Sequence, residues 1–315
     1  MKTISYKDIS KMAQVSISTV SRYYNNGYVS KKTKERIDKV VKQFEYYPNH
    51  GARLIRGRDN SIFVIIPEWP QNSVKDICNG IIQAAKIHKR KVNITYSEKG
   101  VKEYIETVRF VLSWRPNSIV LFLPEINEEL IEFIKTIEDT SIVIFGYDVD
   151  DLCWVKIDET HAFYLLTHKF YNSVIDNQKM VFVNDPKLNK STSDDRIAGF
   201  KHACNELKIQ YEIVDLNSRD KVAINNFNKH TRKNNISNIV CSTHELFIAL
   251  SVLGDKSLRL TDIGYQSIYD HMNSYRSKIF IDYTNIGIEI ENILWVHNIN
   301  KTPTSKLIKP SIIQK

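Results

Sequence analysis

Ser16-Ile17-Ser18-Thr19-Val20-Ser21-Arg22-Tyr23-Tyr24-Asn25 is the stretch on which the reading of this chain turns. Val20 and Tyr24, four apart, share one helical face, while most other positions carry small hydroxyls and there is one arginine. That pattern describes a short helix opened by Ser16, with a single apolar contact line and an outer surface trimmed for close approach to another body. A helix ahead of it begins at Ser5, where Asp8 stands at capping-box spacing, turns Ile9 and Met12 inward, and ends near Ala13-Gln14. A helix behind it is capped by Ser30 and repeats Ile37, Val40, Val41 and Phe44. Asn26-Gly27 is expected to supply a left-handed turn between the second and third helices.

Two short helices, a tight turn and a supporting third helix make a helix-turn-helix, whose second helix enters the major groove of DNA. Charge supports this assignment. The chain of 315 residues carries a net charge of +8, and residues 1–60 hold 13 Lys and Arg against 5 Asp and Glu, which accounts for all of it. A basic segment gains affinity for nucleic acid by releasing counterions from phosphate. On the second helix, Arg22 matches guanine O6 and N7 with two parallel hydrogen bonds, and Ile17 and Ser18 are placed for a thymine methyl and a base edge. Ser16, Thr19, Ser21 and Asn25 suit phosphate oxygens.

From residue 61 short apolar runs (62–66, 92–96, 118–123, 142–147, 180–183, 211–214, 239–241, 263–265 and 278–282) alternate with amphipathic stretches. Strands buried on both faces and separated by helices imply parallel sheets. Nine runs exceed one comfortable sheet, and the break near 156–179 divides them into two similar lobes with a cleft between. The expected organisation is an all-α helix-turn-helix headpiece (1–46), a hinge (47–60) and an α/β core of two parallel-sheet lobes (61–315). The first lobe is expected at 61–157 plus 285–300, the second at 158–284 plus 301–315.

The pattern AxVSxSTVSRxxNN, then VSxxTxxRI, then YxPNxxARxxRG over residues 5–57 resembles the lactose/galactose-repressor (LacI/GalR) family of bacterial transcriptional regulators. Asp195-Arg196-Ile197-Ala198-Gly199-Phe200 resembles the DRxxGF segment of that family, and Ile263-Gly264-Tyr265 its VGY strand. The resemblance implies a periplasmic-binding-protein-like core, a hinge in which Ile55 takes the minor-groove wedge position beside Arg53 and Asn49, and an effector held in the interlobe cleft. Arg196, Asn72, Tyr147, Asp148, Thr192, His244 and Gln266 are the effector-contact positions it points to. There are departures: Gln14 stands at a turn position often held by glycine, and 71–74 lacks the usual aromatic platform. With Lys190 and Arg219 near Arg196, a cationic lining and a sugar phosphate or other anionic effector are expected, a sugar being the alternative.

The implied protein is a homodimer that reads a pseudo-palindromic double-stranded operator and represses a carbohydrate-related operon under control of a small molecule. Two readings stay open beside it: control by a protein partner with a degenerate effector site, and an architectural protein with little sequence preference. No GxSxG, P-loop or GxGxxG is present, so no enzyme activity is expected. Four dispersed cysteines give no metal site or disulfide framework, and no cofactor is expected. The absence of a long apolar run or a secretory signal in the sequence gives a cytoplasmic expectation, with no membrane partner.

Overall fold

The computed structural model describes residues 5–24, 27–44, 59–67, 72–98, 100–174, 179–265 and 275–314. Two compact units emerge, residues 1–57 and 58–315. In the first, α1 (Tyr6–Met12), α2 (Ile17–Tyr24) and α3 (Lys31–Gln43) enclose a small core of Ile9, Ala13, Val20, Ile37 and Val40. The expected capping box is present: Ser5 N–H donates to Asp8 Oδ2 at 2.8 Å and Asp8 N–H to Ser5 Oγ at 3.4 Å. Three details of the sequence reading need correction. Met12 and Phe44 are exposed, and Ala13 takes the inward position at the end of α1. Gly27 does not take the left-handed conformer expected of Asn26-Gly27, Asn26 lying outside the described residues, whereas Gln14 in the α1–α2 turn does, at φ +52°. Gly27 packs closely instead, since a Cβ there would lie 3.2 Å from Arg22 Cβ, a tight contact.

The second unit contains two six-stranded sheets. The first comprises β1 (Asp59–Pro67), β2 (Lys91–Ser97), β3 (Pro116–Phe122), β4 (Ser141–Phe145), β5 (Cys153–Ile157) and β11 (Ser305–Ile308), in the order β11-β5-β4-β3-β1-β2, all parallel. The second comprises β6 (Met180–Asn184), β7 (Tyr211–Asp215), β8 (Asn238–Cys241), β9 (Arg259–Gly264), β10 (Ser277–Phe280) and β12 (Ser311–Gln314). Its order is β12-β10-β9-β8-β6-β7, parallel except for β12. The two sheets thus share one winding, with the topological switch between β1 and β3 in one and between β6 and β8 in the other.

The helices are α4 (Asn72–Ile87), α5 (Val101–Ser113), α6 (Glu128–Lys135), α7 (Glu159–Ser173), α8 (Lys190–Glu206), α9 (Lys221–Lys233), α10 (His244–Leu253) and α11 (Tyr283–Asn300). Six of them start at a side chain that accepts from the first-turn backbone: Asn127, Asp158, Asn189, Asp220, Thr243 and Asp282. Each satisfies N–H groups that the helix itself leaves open.

The strand at 153–157 was not expected, because Lys156 interrupts its apolar run. The lobe boundary at 301 is also corrected: 305–308 pairs with β5 in the first sheet and only 311–314 joins the second. The chain therefore crosses between lobes three times, at 157–159, 280–283 and 308–311.

Helices α4 and α11 cross at two glycines. A Cβ on Gly80 would lie 1.9 Å from Thr284 O, and one on Gly287 would lie 2.0 Å from Ile77 O. Backbone cannot yield locally as a side-chain tip can, so Gly287→Ala should destabilise the core by about 1–3 kcal/mol or more through overpacking. Urea unfolding followed by circular dichroism checks this; an unchanged midpoint would show that the crossing tolerates a methyl group.

Candidate functional site

Two surfaces carry chemistry, one in each unit. On α2, Thr19 N–H donates to Ser16 Oγ at 3.0 Å, so Ser16 acts as the N-cap, and its hydroxyl also lies 2.7 Å from those of Ser18 and Thr19. At about 100° per residue, Ile17, Ser18, Ser21 and Arg22 fall within one arc, while Val20 points into the core. Ile17, Ser18 and Arg22 are exposed, Ile17 at 43% despite being apolar. The opposite face is fixed by aromatic contacts. Tyr24 stacks on Tyr6 with ring centroids 5.2 Å apart, and Tyr23 donates a hydrogen bond to Asp38 of α3. Burial, then the Asp38 hydrogen bond and charge, push the Tyr23 hydroxyl up to about 12, so it remains a donor throughout the physiological range. The helix is thus pinned in rotation, with its hydroxyl and guanidinium groups outward. Asn25, Asn49, Arg53 and Ile55 lie outside the described residues.

The second surface is a cleft of about 930 Å³ between the two sheets of the core. Its first-lobe wall is built from the carboxyl ends of β1, β3, β4 and β5, through Ile66, Phe122, Phe145 and Lys156. Ligand sites in wound parallel sheets form at these ends because the strand order reverses there and leaves a crevice. The second-lobe wall is the loop after β6 and the first turns of α8. Phe122 and Phe145 have ring centroids 5.0 Å apart, and with Tyr147 and Tyr283 they give the cleft the aromatic surface that residues 71–74 do not supply. Burial, then the Glu125 charge, push the Tyr147 hydroxyl up. Sequence reasoning did not single out the two phenylalanines, because each lies inside an apolar run; the structure makes each the last residue of its strand, which is where a parallel strand meets its ligand.

Arg196, Tyr147 and Thr192 line the cleft as expected. Arg196 is already committed: its Nε and Nη2 donate to Glu159 at 3.1 and 2.8 Å, and its Nη1 donates to Ser242 O. It is 5% exposed, and its ion pair stays within the second lobe. His244 and Asp148 are not among the lining residues. His244 Nδ1 lies 2.7 Å from buried Asp262, and Asp148 accepts from Lys156 at 2.9 Å. Gln266 and the side chain of Asn72 lie outside the described residues.

The expected cationic lining is not what the described walls carry. Lys156, Lys190 and Arg196 face Glu125, Glu159, Asp194 and Asp195. Arg219 is absent from the described lining. Among the described residues no group of His, Cys, Asp and Glu is arranged to hold a metal ion, and no helix is long and apolar enough to cross a membrane.

Both units find likenesses among known proteins. Residues 5–49 match the family model described as bacterial regulatory proteins, lacI family. The sucrose operon repressor of Staphylococcus xylosus is 32% identical over 167 residues, covering 53% of this chain and 51% of that protein. Catabolite control protein A of Staphylococcus aureus strain MRSA252 is 27% identical over 212 residues, covering 66% and 63%. The matches to these relatives thus span between half and two-thirds of their length. The lac repressor dimer bound to operator and the anti-inducer ONPF superposes with a TM-score of 0.82 over 99% of this chain and 98% of that one, at 16% identity, a likeness of fold. Residues 5–49 thus carry the signature of the lacI family of bacterial regulatory proteins, and between half and two-thirds of the chain is similar to the regulators named above.

Proposed function

We propose that this chain is a DNA-binding transcriptional regulator, a repressor of a carbohydrate-related operon, that binds a pseudo-palindromic operator as a homodimer. The observation that carries the proposal is the outward arc of α2, where Ile17, Ser18 and Arg22 stand exposed on a helix whose rotation is fixed by Val20, Tyr23 and Tyr24. An exposed guanidinium on a rotationally fixed helix is what bidentate reading of a guanine edge requires. The names of the relatives support the sign, being a sucrose operon repressor and a catabolite control protein. The solved dimer on operator supports the assembly. In this reading Ile55, Arg53 and Asn49 act at the minor groove and Ser16, Thr19, Ser21 and Asn25 on phosphates.

The cleft takes an uncharged, polyhydroxylated effector in this reading. The three lining cations are outnumbered by four carboxylates, Arg196 and Lys156 are already engaged by Glu159 and Asp195, and the aromatic side chains suit the apolar face of a sugar ring. Ligand contacts on both walls bias the angle between lobes, and that angle is coupled to DNA binding through the two-state population it selects.

Fluorescence-anisotropy titration of operators selected from random DNA, against scrambled DNA at two salt concentrations, tests the proposal. The selected symmetric site should bind at least ~10³-fold tighter than scrambled DNA, and neutral disaccharides should shift its affinity where sugar phosphates do not. Equal affinity for both DNAs would reduce the headpiece to an electrostatic anchor.

A further inference from the structure

Lys156 stands at the carboxyl end of β5, in the first lobe, and its ammonium faces two carboxylates from different bodies. Asp148, in the loop ahead of β5, accepts its hydrogen bond at 2.9 Å. Asp195, in the first turns of α8 in the second lobe, lies 3.6 Å away. Among the described ion pairs, this contact alone joins side chains of opposite walls of the cleft. Its neighbour on α8, Arg196, stays within its own lobe, bound to Glu159 and Ser242.

We infer that Lys156 is a clasp across the cleft, held by Asp195 when the lobes are closed and retained by Asp148 when they part, so that one ammonium sets the closure equilibrium of the effector site. The inference rests on the cleft being the effector site, and adds to it a device that positions the lobes without requiring contact with the ligand. Three features support it.

Both pairs are partly exposed, with Lys156 at 23%, Asp195 at 33% and Asp148 at 63% side-chain exposure, so the ammonium can exchange partners without entering a dry interior. Burial disfavours the ammonium, but the Asp148 hydrogen bond and the two carboxylate charges outweigh it and raise its pKa, so the lysine is held charged between the two carboxylates. Lastly, the 157–159 crossing directly follows Lys156, so the ammonium springs from beside one of the segments that connect the two lobes.

Asp148 and Asp195 compete for one cation, and this gives the clasp a signature that a simple stabilising ion pair lacks. Removing Asp195 should open the cleft, whereas removing Asp148 should close it further, although both substitutions delete a carboxylate beside the same lysine. Exposed ion pairs are worth little individually, but a contribution of that size changes a two-state ratio about two- to five-fold.

Spin labels on Lys102→Cys and Lys187→Cys, exposed positions on opposite lobes, report the interlobe distance in the full-length protein by double electron–electron resonance. The four native cysteines are buried. The parent should show a larger open fraction in 1 M than in 0.05 M salt, because screening acts on the clasp. Lys156→Gln and Asp195→Asn should raise the open fraction about two- to five-fold and remove most of the salt dependence. Asp148→Asn should lower the open fraction, and the double exchange K156D/D195K should return it towards the parent value. Distances that ignore Lys156→Gln and Asp195→Asn, or an Asp148→Asn variant that opens the cleft, would overturn the clasp. The readout involves neither DNA nor effector, so its failure is distinct from failure of the regulator reading, which the operator titration decides.

Discussion

Lys278→Met is expected to destabilise the core by about 3–5 kcal/mol, one of the two largest effects anticipated in this protein. Lys278 and Asp262 sit directly opposite each other on β10 and β9 and pair at 2.9 Å with both side chains fully buried. The ammonium also donates to Tyr265 O at 2.9 Å and lies 5.4 Å above the Tyr275 ring, while the other Asp262 oxygen meets His244 Nδ1 at 2.7 Å. Removing the lysine leaves a carboxylate in the sheet interior without its full counter-charge, and desolvation of that charge dominates the cost.

The same physics makes the double variant informative. Asp262→Leu alone should also cost several kcal/mol, yet Asp262→Leu combined with Lys278→Met removes both charges and should be far less destabilised than the sum. Urea unfolding midpoints at constant m measure all of these variants. Additive losses would mean that the two residues act through packing and not through their charges.

Arg22→Ala is expected to weaken binding to the selected operator about 10- to 100-fold, the ~1–3 kcal/mol carried by a bidentate guanine contact. Its affinity for scrambled DNA should change far less. Arg22 is exposed and its guanidinium makes no described side-chain bond, so thermal unfolding of the headpiece should stay within about ±0.5 kcal/mol of the parent. Arg22→Lys should not restore the operator, since an ammonium cannot present two parallel donors to O6 and N7. Anisotropy with operators varied at each position checks both claims. A uniform loss across all sequences would move Arg22 from reading a base to holding a phosphate.

The headpiece was largely legible in the residue order because its determinants are local. Capping by Ser5, Asp8 and Ser16, and the inward positions of Ile9, Val20, Ile37 and Val40, follow from spacing along single helices. Errors there fell at ends and turns. Met12, Phe44 and Gly27 were misassigned because residues at or beyond the last turn of a helix take their direction from the elements that follow.

In the core the alternation of apolar runs and helices identified the α/β class, since period and run length are properties of the chain. The side-chain partners were not recoverable in that way. Arg196 pairs with Glu159 37 positions away, His244 with Asp262 18 away, and Lys156 with Asp195 across the cleft. The expected contacts His244 and Asp148 do not line the described cleft, and each, like Arg196, is held by an oppositely charged or polar partner that residue spacing does not reveal.

Sequence by itself determined the helix-turn-helix, the basic headpiece and the parallel-sheet class, because capping, periodicity and charge act between near neighbours. Only the tertiary structure decided which strands share a sheet, where residues 305–314 divide between the lobes, and the charge balance of the cleft. Those depend on which distant side chains meet, and a buried or half-buried charge is settled by its partner in space, not by its place in the chain.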